Sequence, residues 1–419
     1  MNPISDQLPI FNNIFEAQDF IINLEKNAYQ IPGLMPFPDF GLDLYTNAGC
    51  NLDIDDFIVT RLSCNPDDIE YYKMLSMGSQ TEYLTDFKRY SLKPNLYDRK
   101  FLFRGQTHDY ASIKANLFRD QKKKYFLDTM IKNNELAAFI AMHPLVQLLG
   151  IKGFELHRKS IKFQANLYGL AQHYYNRTTQ VDFSSSFGIA SFFAVTTYDQ
   201  HSDRYLPVDV NKEPLGVIYV LPFTTALFYN SKYGFNITSI GKQYCFKRSE
   251  KQLGFLVDAS GGKDVHDHPL LLKFKFRQNQ EAVNFIYDHW DKGRAIAPTD
   301  PLEQYWRKYR DIKGQPFDIS DKAIELNLYM NPDETRESII RKISQYQNED
   351  GDPMFRLTGK IWPEFPRELL EGYWADIKNG WWQDEFCSNI YFVDLNHKRY
   401  IEALKNLPND PRYQKYFKE

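Results

Sequence analysis

Three short apolar runs, far apart in the chain, set the strongest limit on its fold. Phe101-Leu102-Phe103-Arg104 reads as a strand that stops at Gly105. Gly216 to Pro222 is a continuous apolar run bounded by breakers, which suits a buried strand. Leu272-Lys273-Phe274-Lys275-Phe276 alternates strictly, as a strand with one wet face does. Helical patterns around Leu127–Ile140 lie between them. This combination calls for an α+β domain built on a mixed sheet.

With 419 residues the chain is too long for one typical core, so two or three domains or subdomains are expected. Residues 1–98 form a mixed, adapter-like region. A helix there is marked by Ala17, Phe20, Ile21 and Leu24 on one face, and Ile31 to Asp56 reads as loop. Residues 99–290 form the core domain. Residues 291–419 read as mainly helical. Asn331 is the expected N-cap of one helix, with Pro332 at the first position and Glu334 closing a capping box. Ile339, Ile340, Ile343 and Tyr346 give its buried face, and Tyr400, Ala403, Leu404 and Leu407 repeat the spacing. These stripes suit core packing, or a protein partner of the C-terminal region. Trp362, Trp374, Trp381 and Trp382 fit the same two uses, core packing being the better supported.

A net charge of -3 and a pI near 6.3 argue against a dedicated nucleic-acid binder. Aromatic residues make up 16%, which supplies either a rich core or a cleft with stacking surfaces for a planar ligand. Cys50, Cys64, Cys245 and Cys387 are spaced too irregularly for zinc and read as free thiols of a reducing compartment. The start lacks a basic and then apolar leader, and Leu136–Ile151 is broken by His143, Pro144 and Gln147. The expected setting is cytoplasmic, with no membrane span, so the Asn176 and Asn236 glycosylation triplets read as chance. The chain has no GxGxxG, P-loop, HExxH or GxSxG. His266 and His268 before Pro269 read as a polar loop, and no metal site is expected.

Three segments are candidates to carry chemistry. In Phe103-Arg104-Gly105-Gln106 an Arg at a strand end suits a phosphate or carboxylate, or an internal ion pair. Ala171-Gln172-His173-Tyr174 leads to Asp182-Phe183-Ser184-Ser185-Ser186 and a helical run from Phe187 to Val195. One of these serines should cap that helix, and its exposed amides suit an anion or polyol, or simply a well-capped helix. In Arg248 to Phe255, Glu250 and Gln252 lie two apart and would share one face of a strand. There they would bind a ribose hydroxyl pair, or point outward as surface charges.

Together the three segments resemble the FRG domain family, named for the motif seen at Phe103-Arg104-Gly105. Gln106, Tyr110 and Arg119 match the family pattern just downstream of that motif. Gln172, His173, Tyr174, Thr178, Asp182 and Ser184 match a QHYGLPTRLLDWT-like stretch, and Ala190, Phe193 and Ala194 fit the helix after it. Arg248, Gln252 and Gly254 match an R-x-x-x-Q-x-G-x-F-like stretch, with Leu256 at the last position. Tyr175-Asn176-Arg177 replaces the family's Gly-Leu-Pro, and Thr179-Gln180-Val181 its Arg-Leu-Leu.

The layout is similar to the Arg, Ser/Thr, Glu pattern of ADP-ribosyltransferases. The resemblance thus implies an NAD-consuming effector, an ADP-ribosyltransferase or NAD hydrolase, in a bacterial toxin or defence role. NAD would be substrate, with no prosthetic group. Arg104 would hold its phosphates, with Gln106 beside it. Ser184 or Ser185 would orient the nicotinamide ribose. Glu250 would steady the developing cation and Gln252 would position the ribose. Gln172, His173 and Tyr174 would wall the pocket, and Asp182 would orient His173 or pair with Arg104. The alternative is a non-catalytic FRG module that binds a nucleotide or a protein.

Overall fold

The computed structural model describes residues 9–26, 81–84, 89–92, 101–119, 126–147, 154–156, 159–161, 166–174, 177–199, 201–222, 235, 237–240, 246–268, 271–298, 300–310, 315–348 and 351–379. Its centre is a six-stranded sheet of β1 (Phe101–Gln106), β2 (Gln180–Ser184), β3 (Leu215–Pro222), β4 (Ile237–Ser239), β5 (Gly254–Asp258) and β6 (Leu272–Arg277). The order is β4-β5-β2-β1-β3-β6, and every neighbouring pair is antiparallel. The domain is α+β, as the sequence implies, but this sheet pairs its strands antiparallel throughout where a mixed sheet was expected.

The side-chain period of two divides each strand between the faces of the sheet. Phe101 and Phe103 join a cluster on one face with Ile189, Phe192, Val220 and Phe274. Leu102 turns to the other face, against Val181, Val217, Tyr219 and Phe255. The first face is covered by α1 (Ile14–Lys26), by α4 (Phe187–Val195) and by α6 (Gln280–His289). Ile14, Ala17 and Ile21 are the buried side chains of α1, while Phe20 stays at the rim with its ring 5.3 Å from Phe11. A third cluster joins α2 (Phe126–Ala141) and α3 (Leu167–His173) to α7 (Pro301–Arg310), α8 (Asp321–Met330) and α9 (Arg336–Ser344). This third cluster draws residues from both sides of position 290.

Several local readings change. β1 continues past Arg104 to Gln106, because Gly105 keeps the extended ladder with β3 (Gly105↔Ile218). β6 has no freely wet face: Lys273 is buried, and Lys273 and Lys275 reach Asp109 at 3.0 and 2.6 Å. Asn331 does not start a helix. It caps the C-terminus of α8, and the next helix begins after Thr335, whose hydroxyl accepts from the Ser338 amide at 3.2 Å. Pro332 thus follows a helix end instead of opening a helix. Ile339 and Ile343 are buried on α9 as its spacing implies. Trp362 is partly exposed, with the Lys322 ammonium 5.3 Å from its ring.

Position 374 falls on α10 (Arg367–Asn379). The 31–56 stretch, the four cysteines, Trp381, Trp382 and the 400–407 stripe lie outside the described residues, as does the side chain of Leu24. Among the described residues, no helix is long and apolar enough to cross a membrane.

Candidate functional site

Gly105 is where the site begins. A β-carbon there would lie 1.8 Å from the Ala190 carbonyl oxygen and 2.7 Å from the Ala194 nitrogen. Only glycine lets β1 and α4 approach so closely. Ser186 caps α4 by accepting from the Ile189 amide, so one of the three serines has the expected role.

β1 and β2 share a single paired position, Phe103↔Ser184. Beyond it the Arg104 guanidinium, through Nη1, donates to the Asp182 carbonyl at 2.8 Å. A side chain thereby takes up an acceptor that a longer ladder would have used. Ser184 donates to the Gln252 carbonyl at 2.8 Å and accepts from the Ser186 amide at 3.0 Å. This hydroxyl ties the third sequence segment to the second, and its one donor is thereby engaged.

These contacts surround a cavity of about 820 Å³. Arg104, Gln106, Gln172, His173, Asp182, Ser184 and Gln252 all line it. Tyr110, Phe118, Phe193, Tyr198 and Tyr205 add aromatic wall. Seven residues singled out in the sequence thus meet in one place, although they come from separate elements.

Burial holds Arg104 at a pKa lowered to about 10, against the raising effect of the Asp182 carboxylate. Burial also lowers His173 to about 4, with Asp182 pulling it up and Arg248 pushing it further down. His173 is therefore a neutral imidazole at pH 7. Four buried polar atoms of the lining have no hydrogen-bond partner among the described residues: Arg104 Nε, Gln106 Oε1, His173 Nε2 and Asp182 Oδ1.

Tyr174, Ser185 and Glu250 do not line the cavity. Tyr174 is buried behind it and donates to Asp300 Oδ2 at 2.9 Å. Ser185 is buried with its amide on the Leu253 carbonyl. Glu250 sits in α5 (Lys247–Lys251), and Gln252 caps that short helix. The shared strand face expected for these two is absent, since positions two apart on a helix point in different directions.

No role was expected of Arg248, Tyr110 or Arg119, yet all three line the cavity. Arg248 is buried, 3.1 Å from Glu303 and 3.4 Å from the Tyr205 hydroxyl. The family-like stretches already contained these residues, and that was the available signal. Tyr198 and Tyr205 carried none. They face each other across a two-stranded ribbon of Thr196–Asp199 and Arg204–Pro207. Among the described residues, no group of three His, Cys, Asp or Glu side chains could hold a metal ion.

Residues 99–203 match the family model of the FRG domain. No curated protein and no solved structure matches the chain. The matched span contains Arg104, His173, Asp182 and Ser184, and it ends before the Arg248–Gly254 segment that packs beside them.

Proposed function

We propose that this chain, which carries an FRG domain across residues 99–203, binds a nucleotide in the cavity between β1, β2 and α4, with NAD as the ligand to test. The observation behind this reading is the convergence of Arg104 Nε, Gln106 Oε1, His173 Nε2 and Asp182 Oδ1. A buried polar atom left unpaired costs about 1–3 kcal/mol, so four around one cavity favour a polar ligand. The set offers donors and acceptors together. The aromatic walls offer flat surfaces for a base or a nicotinamide ring.

Calorimetric titration of the full chain with NAD tests this. Saturable binding that weakens at least about tenfold in Arg104→Lys, with the melting curve kept, supports it. No saturable binding, or equal affinity in both proteins, overturns it. Lysine keeps the charge but loses the fork, so the comparison isolates the geometry of recognition.

A second reading is NAD cleavage, as an ADP-ribosyltransferase or NAD hydrolase acting as a toxin or defence effector. The Asp182 carboxylate favours it, because it lies in the cavity beside Arg104 and His173 while Glu250 does not line it. Asp182 would then take the electrostatic role expected of Glu250, steadying positive charge as the nicotinamide–ribose bond breaks. Nicotinamide release by the parent, lost in Asp182→Asn and kept in Glu250→Gln, is the expected result. Release that is lost in Glu250→Gln and kept in Asp182→Asn would reverse that assignment.

A further inference from the structure

A second cleft of about 600 Å³ shares Tyr198, Tyr205 and Arg248 with the cavity described above. Its charge is unlike that of the chain as a whole. Arg204, Arg248, Lys292, Arg294, Arg307 and Lys308 line it, against only Asp203 and Glu303. That is a surplus of four positive charges on a protein whose net charge is -3.

The charges are arranged in two layers. Inside, Glu303 accepts from Arg248 at 3.1 Å and from Arg307 at 3.0 Å, and Arg307 also reaches outward to the exposed Asp203 at 2.7 Å. These pairs balance one another. Arg204, Lys292 and Lys308 are exposed and have no ion-pair partner among the described residues. Arg294 is paired with Asp291, so three exposed cations remain, and they sit at the mouth.

The backbone holds part of this mouth in place. Asp291, Lys292 and Gly293 are consecutive residues at φ 47, 57 and 94. Two non-glycine residues in this region store strain, which persists only where the surroundings enforce it. The turn is anchored at its start, and an exposed ion pair spans it. Trp290 Nε1 donates to the Gly188 carbonyl at 3.1 Å, and Arg294 grips Asp291 at 2.6 and 3.0 Å. Gly293 packs so tightly that a β-carbon would lie 2.9 Å from the Tyr205 ring.

We propose that this second cleft is a phosphate subsite, entered past Tyr198 and Tyr205 from the nucleotide cavity, whose mouth cations Arg204, Lys292 and Lys308 bind the phosphate groups of the ligand. The link to a nucleotide rests on the reading under Proposed function. Binding of a phosphate anion in the cleft does not. A surplus of cations in a concave site focuses anions, and phosphate oxygens accept charge-assisted hydrogen bonds from Arg and Lys. The small volume suits a di- or triphosphate group better than a long polyanion, which needs an extended basic stripe.

The experiment is calorimetric titration of the full chain with inorganic pyrophosphate, and separately with NAD. It compares the parent with Arg204→Glu/Lys292→Glu/Lys308→Glu and with the milder Lys292→Ala. The expected result is saturable pyrophosphate binding that weakens about tenfold or more in the triple variant, and also on raising salt to about 0.15 M. Lys292→Ala should weaken it in the same direction. No saturable pyrophosphate binding by the parent at low salt, or equal affinity in parent and both variants, would overturn the subsite. NAD binding without pyrophosphate binding overturns the subsite alone. Pyrophosphate binding without NAD binding supports the subsite and overturns the nucleotide reading of the first cavity.

Discussion

Gly105 and Ala190 are in backbone contact: a β-carbon on Gly105 would fall 1.8 Å from the Ala190 carbonyl oxygen. The neighbour is helix backbone, so no side-chain rotation relieves the clash. Gly105→Ala must push α4 away from β1, which costs about 1–3 kcal/mol or more. Chemical denaturation should show that loss, together with weaker ligand binding, since Ile189, Ala190 and Phe193 of α4 wall the cavity. Stability equal to the parent's would mean that α4 is not seated as described.

Ser184 and Gln252 make the second close link. Removing the Ser184 hydroxyl leaves the Gln252 carbonyl and the Ser186 amide each without this partner. Ser184→Ala should cost about 1–3 kcal/mol in denaturant. Hydrogen exchange should rise around Leu253, which turns the chain at φ 45. Unchanged protection there would exclude the tethering role.

Glu303 holds Arg248 and Arg307, and the Arg248–Glu303 pair is 10% exposed on both sides. Burial raises the Glu303 pKa, and the two guanidinium groups pull it back down. Glu303→Ala leaves Arg248 as a buried cation that has lost this carboxylate, and should destabilise the protein by about 3–5 kcal/mol. Arg248→Met in the same background should recover part of that loss. A double-mutant cycle read by thermal melting checks both statements.

Acid stability follows from buried imidazoles. Burial lowers His173 and His268 to about 4 and His143 to about 3. The folded protein refuses protons that the unfolded chain accepts near pH 6.5. Their contribution is present above pH 6.5 and is lost as pH falls through 4. His173→Gln should flatten the fall in melting temperature between pH 6.5 and 4.

Glu135 works in the opposite direction. Burial raises it to about 7, partly offset by the hydrogen bonds from Ser320 and increased by Asp318. Its contribution is present below pH 4.5 and is lost as pH rises through 7. Glu135→Gln should gain roughly 1–3 kcal/mol over the parent at pH 8 and nothing at pH 4. Equal stability of the two proteins at pH 8 would argue against a strained carboxylate there.

Much of the core was legible in the sequence because its signals are local. The run from Gly216 to Pro222 needed only its own apolar residues to be read as the buried strand β3. α4 announced itself through the serine cap and the apolar run after it. Arg104, His173, Asp182, Ser184 and Gln252 stood out because short motifs carry them, and the structure places all five around one cavity.

Tertiary structure alone decided which groups face that cavity and which charges cancel. Glu250 and Gln252 separate because Arg248 to Lys251 coils into a helix turn, where packing of Phe246 and Ser249 overrides the two-residue period. Arg248 finds Glu303 fifty-five positions away, and Lys273 finds Asp109 at a separation of 164. No local pattern records such partners, because the energy that selects them comes from desolvation and charge pairing after the chain has closed. The basic second cleft arises in the same way, from cations of the 204–205 ribbon, the 291–294 turn and α7 that meet only in three dimensions.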